Sequence, residues 1–88
     1  MKGRELVAWN MRKLRTAQKL TQERLADEAG LARTHVGEIE RAEKSVTVDV
    51  LDKLAEVLSV PVSTLLQAPA DGESPPAPLQ SGRKPKSG

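Results

Sequence analysis

The chain has 88 residues, a net charge of +2, one aromatic side chain (Trp9) and no cysteine. That length fits one domain with a modest core, and the missing thiols exclude a disulfide framework and a thiolate metal site. One tryptophan supplies no row of stacking platforms, which argues against single-strand and RNA recognition but leaves duplex binding open. The small net charge does not by itself imply a polyanion partner, so the placement of the charges has to decide. Met1 to Glu5 runs directly into a charged amphipathic segment, with neither a signal-peptide core nor the ~20 apolar residues of a membrane span. A soluble, cytoplasmic protein without a membrane partner is expected.

Before Gln67 the apolar residues recur at helical spacing and nowhere alternate as in a half-buried strand, which predicts an all-α fold of five short helices. Helix 1, about Glu5 to Gln18, places Val7, Met11 and Leu14 on one face. Thr21 is a suitable N-cap for helix 2, Gln22 to Ala29, and Gly30 supplies a left-handed turn at its end. Helix 3, about Arg33 to Glu40, buries Val36 and Ile39. Thr47 caps helix 4, whose Leu51, Leu54, Ala55 and Leu58 form an i, i+3, i+4, i+7 stripe. A short last helix begins near Pro61 and carries Val62, Leu65 and Leu66. Residues 68–88 hold five of the six prolines and almost no large apolar side chain, so a domain over 1–67 followed by a disordered tail is expected. The basic end of that tail, Arg83, Lys84 and Lys86, offers at most a loose phosphate contact.

Two helices joined by about three residues must cross steeply, and Gln22 to Arg41 meets the requirements of such a crossing. Leu25, Ala29, Leu31, Val36 and Ile39 fill the wedge, Ala26 is small where the helices approach, and Gly30 accepts a positive φ. A helix-turn-helix at the centre of the domain is the expected motif. Asn10-Met-Arg-Lys-Leu-Arg15, Leu20 to Ala26, Ala29-Gly-Leu31, Val36-Gly-Glu-Ile-Glu-Arg41 and Leu51 to Val60 together resemble the phage repressor and Cro family, also called Xre-type. Arg33-Thr34-His35-Val36 with Ile39-Glu-Arg41 is similar to the controller proteins of restriction-modification systems and to small regulators of mobile elements. Three positions depart from the family pattern: Ala42 and Ser59 where glycine is usual, and Val46 where proline is common.

The resemblance implies a double-stranded DNA partner, with helix 3 in the major groove and its first residues at base edges. On that reading Arg33 offers a fork to guanine, Thr34 a hydroxyl and a methyl to thymine, His35 a donor, and Glu38 an acceptor for cytosine. Pairing of Glu38 with Arg41 at i+3 is the structural alternative. Gly37, costly in mid-helix, implies a close approach of the backbone to DNA or to helix 2. Thr21 and Gln22, at a helix N-terminus, and Arg41, Lys44 and Thr47 are the implied phosphate contacts. Arg15 and Glu40 match a structural pair that braces helix 3 on helix 1. A homodimer on a palindromic operator is expected, paired through Val62, Leu65 and Leu66, with a possible contact to RNA polymerase. The function implied is a sequence-specific repressor or autoregulator, needing no cofactor or metal and performing no catalysis. An antitoxin, or an interaction module that has lost DNA binding, are the competing readings.

Overall fold

Most α-helix ends among the described residues are closed by capping groups, the exception being the start of the third helix at Ala32, which has no side-chain cap. The structure, a computed structural model, describes residues 1–70: α1 (Gly3–Ala17), α2 (Gln22–Ala29), α3 (Arg33–Glu40) and α4 (Val48–Leu58), followed by a single 3-10 turn, Val62–Leu66. The described residues contain no strand, and no helix among them is long and apolar enough to cross a membrane. Most of the expected tail, from residue 71 onward, lies outside the described residues. Thr21 and Thr47 cap α2 and α4 through side-chain oxygens that accept from the amides of Arg24 (3.0 Å) and Val50 (3.1 Å). α1 starts two residues earlier than the expected Glu5, because the Glu5 carboxylate reaches back to accept the Lys2 amide at 2.9 Å. The last element is a 3-10 turn rather than an α-helix, with Pro61 just before it.

All four α-helices end in the same way. A residue in the left-handed region, Lys19 (φ 59°), Gly30 (φ 70°), Ala42 (φ 57°) or Ser59 (φ 61°), donates its amide three residues back, and the next residue donates five residues back. Only one of these four is glycine. The family departures Ala42 and Ser59 therefore take the glycine conformation in spite of their Cβ atoms, at a cost of about 1–2 kcal/mol each. After α1, α2 and α4 the residue that follows is Leu20, Leu31 or Val60, each half-buried against the core. After α3 it is Glu43, exposed and charged.

The core joins Val7 and Met11 of α1, Leu25, Ala26 and Ala29 of α2, Val36 and Ile39 of α3, and Leu51, Leu54, Ala55 and Leu58 of α4. Leu65 belongs to this same cluster and is fully buried. The expectation that Leu65 meets a second copy is thereby corrected: one large apolar residue of the last turn is needed to close the single-chain core. Leu66 is 42% exposed and Val62 half-buried. The last turn is held by Asn10, whose side-chain amide donates to the carbonyls of Leu6, Leu65 and Gln67 at 2.9, 3.1 and 2.8 Å. Gln18 donates to the Leu58 carbonyl at the end of α4 (2.8 Å).

One buried ion pair ties α3 to α1. The Arg15 guanidinium forks onto Glu40 at 2.6 and 2.9 Å, with both side chains almost wholly buried. The remaining valences are filled by the Leu20 carbonyl, which accepts from Arg15 (2.8 Å), and by the Gln22 amide, which donates to Glu40 (3.0 Å). Glu40→Gln strips the charge from one partner and leaves the Arg15 cation buried, so a loss of about 3–5 kcal/mol is expected in urea unfolding. A double Arg15→Met/Glu40→Met change, which removes both charges, should recover most of it. Ser59→Gly is expected to raise stability by about 1 kcal/mol in the same assay by relieving the Cβ at positive φ; an unchanged or lower midpoint would show that Ser59 bears no strain.

Candidate nucleic-acid interface

Only Gly30, Leu31 and Ala32 separate α2 from α3, and the left-handed Gly30 turns the chain sharply enough for the two helices to pack against each other, with Ala26 and Ala29 buried. The crossing leaves the start of α3 at the surface. Arg33 and Thr34 occupy its first two positions and are exposed, without an ion pair among the described residues. His35 and Glu38 are half-buried, with Nδ1 and Oε1 3.8 Å apart, outside hydrogen-bond range. Thr34, Glu38 and Arg41 follow one another at i, i+4 and i+7 and so share a stripe of α3 opposite the buried Val36 and Ile39.

Arg41 does not pair with Glu38. Its guanidinium forks onto Glu43 at 2.9 and 3.2 Å, across the left-handed turn at Ala42. The hydrogen bond with Glu43 raises the Arg41 pKa, and the same bond lowers that of Glu43. The Glu43 pKa is depressed on folding, so the pair is intact at neutral pH and is lost only as pH falls through the shifted carboxylate value. The same guanidinium lies back over Gly37, where an added Cβ would stand 3.1 Å from Nη1 of Arg41. Outside the helix's own backbone, the three heavy atoms nearest to that position all belong to the Arg41 guanidinium. The space left by the missing side chain of Gly37 therefore holds Arg41.

The residues expected to meet phosphates come from the start of α2, the end of α3 and the loop before α4. Thr21 and Thr47 are exposed, and because each hydroxyl oxygen accepts a capping amide, its own proton stays available to an acceptor outside. The Gln22 side chain is half-buried and engaged with Glu40, so it links the start of α2 to the buried pair beneath α3. Lys44 is exposed in the loop before α4. Arg24 on the outer side of α2 is held by Glu28 one turn on, which raises its pKa through their hydrogen bond. Sequence reasoning missed Glu43, since i, i+2 across a left-handed residue is not a helical spacing, and it missed the clamp made by Asn10. Trp9 is also unforeseen: it lines an open groove with Gln22, Arg41 and Ala42, and its indole N–H is buried without a hydrogen bond. No group of three or more potential metal ligands occurs among the described residues.

A helix-turn-helix family model matches residues 11–65, more than half of the chain. The control protein C.SmaI of Serratia marcescens is 43% identical over 63 residues, which cover 72% of this chain and 75% of that protein. Among solved structures, a hypothetical transcription factor from Neisseria superposes with a TM-score of 0.75 at 35% identity, covering 77% of this chain and 78% of that one. The restriction-modification controller protein C.AhdI of Aeromonas hydrophila does so with a TM-score of 0.68 at 37% identity, covering 70% of this chain and 94% of its own. The match in sequence spans the same helices whose packing exposes the start of α3, and the chain belongs to the helix-turn-helix family of Xre type, a family of DNA-binding transcriptional regulators.

Proposed function

We propose that this DNA-binding transcriptional regulator reads a palindromic operator as a homodimer in the cytoplasm, acting as a repressor or autoregulator, with α3 of each copy in the major groove. The observation that carries the reading is the open start of α3: Arg33 and Thr34 are exposed at the positions where this motif meets base edges. Arg33 presents two parallel donors to O6 and N7 of a guanine, a match worth ~1–3 kcal/mol of discrimination against other bases. Thr34, His35 and Glu38 line the same entry and add a hydroxyl, a ring nitrogen and a carboxylate acceptor. Thr21, Gln22 through its backbone amide, Arg41, Lys44 and Thr47 hold phosphates on either side and fix the register. Catalysis has no part in this reading.

One reading helix and a few phosphate contacts give too little affinity for a regulator, whose specific complexes reach ~10⁻⁸ to 10⁻¹¹ M. Two copies related by a two-fold axis double the contacts and match a palindrome. Exposed Leu66 with half-buried Val62 supports pairing through the last turn, in a geometry that leaves Leu65 inside the single chain. The tail from residue 68 contributes at most salt-sensitive affinity, and a contact to RNA polymerase remains compatible with a regulator of this kind.

Two experiments bear on these assignments. Arg33→Ala is expected to weaken operator binding and relax preference at one symmetric pair of positions, whereas Lys44→Ala weakens all sequences alike and lowers the salt slope by about one unit. Equal losses on operator and random duplex for Arg33→Ala would remove its reading role. Leu66→Asp is expected to give folded single copies in sedimentation, while Leu65→Asp, which buries an unpaired charge, unfolds the chain; an unaltered dimer in Leu66→Asp would place the interface elsewhere.

A further inference from the structure

The residue after the left-handed turn of α3 is the exception among the four helix ends. Leu20, Leu31 and Val60 hold the equivalent places and pack on the core, but Glu43 is exposed and turns its carboxylate back onto Arg41. The two groups meet in a two-bond fork at 2.9 and 3.2 Å, the geometry in which a guanidinium also takes a phosphate. Arg41 is stationed there from the other side as well, because its head rests in the space that Gly37 leaves without a Cβ. The pair is half exposed, 57% for Arg41 and 52% for Glu43, so solvent and an incoming polyanion reach both partners.

We infer that Glu43 is an internal competitor for the phosphate contact of Arg41: its carboxylate occupies the guanidinium fork in the free protein and must be displaced when the chain binds duplex DNA. This rests on the reading of Arg41 as a phosphate contact. Exchange of one anion for another leaves Glu43 unpaired next to the DNA, where it attracts a cation and offsets one of the counterions released from the backbone. Glu43 thereby lowers backbone affinity for every sequence alike, which keeps a small basic protein from being held on random DNA while base reading by the start of α3 is untouched. The strained Ala42 turn is what delivers Glu43 to this place, since its left-handed conformation brings the amide of Glu43 to the Glu38 carbonyl at 2.9 Å.

The test is a double-mutant cycle on random duplex DNA across a salt series, with wild type, Glu43→Gln, Arg41→Ala and the combined variant, each checked for its melting temperature. Glu43→Gln is expected to bind about two- to fivefold tighter, the scale of an exposed ion pair, with a salt slope steeper by about one unit. In the Arg41→Ala background the same change should have no effect. An equal gain in that background means that Glu43 acts only as a distant negative charge, and overturns the proposal. So does a lower melting temperature with unchanged binding, which would make the fork a staple of the turn. If Arg41→Ala and Glu43→Gln are both silent while Arg33→Ala still relaxes base preference, the competitor falls and the operator-reading function stands; a wild type that binds no duplex removes both.

Discussion

The buried pair of Arg15 and Glu40 is the interaction on which the placement of α3 depends. Two ions taken out of water are stable only if every remaining valence is filled, and here the filling groups are the Leu20 carbonyl and the Gln22 amide. Those two belong to the turn after α1 and the first position of α2. A single salt bridge therefore fixes three elements at one point, and α3 cannot tilt without leaving an unpaired charge inside. Apolar packing alone would permit a small rotation of α3, because the leucine, isoleucine and valine contacts across α2 are not directional. The polar network removes that freedom in the helix proposed to read bases.

The ends of the helices carry a related lesson. A uniform left-handed stop after each helix keeps the connections short, and only Gly30, between α2 and α3, meets it without strain. Lys19, Ala42 and Ser59 hold the same conformation because the hydrogen bonds and, at two of them, the apolar residue that follows outweigh the Cβ penalty. Where no apolar residue follows, after α3, the chain ends the helix on a charged fork instead. The irregular step in an otherwise repeated device thus falls at Arg41, one of the proposed phosphate contacts.

Much of the fold was legible from residue spacing. The threonine caps marked the starts of α2 and α4, Gly30 marked the end of α2 and the turn between the motif's helices, and the stripe Leu51, Leu54, Ala55, Leu58 marked the buried face of α4. What spacing could not reveal were relations across elements. The role of Asn10 depends on carbonyls 55 and 57 residues away, and no periodicity encodes that. Leu65 and Leu66 are adjacent apolar residues, and only the geometry of the last turn shows that one completes the core while the other stays outside. That the space at Gly37 holds the Arg41 head was likewise not legible, since Arg41 folds back over it from the end of α3. The partner of Arg41 was unreadable because it lies two residues on, beyond a left-handed turn that the alanine at position 42 does not advertise. The exposed start of α3 was legible, since polar residues ahead of Val36 in a tightly connected helix leave few other places to go.

Whether α3 reads sequence in duplex DNA as one of a pair is decided by selecting bound duplexes from a random pool with the full chain. The expected result is enrichment of two inverted half-sites with centres about 10 bp apart, or a multiple of that, each containing a guanine at the position that Arg33 reaches. A pool that shows no enrichment while the protein still binds duplex in a salt-dependent way would contradict it, leaving a protein that holds the DNA backbone without reading it.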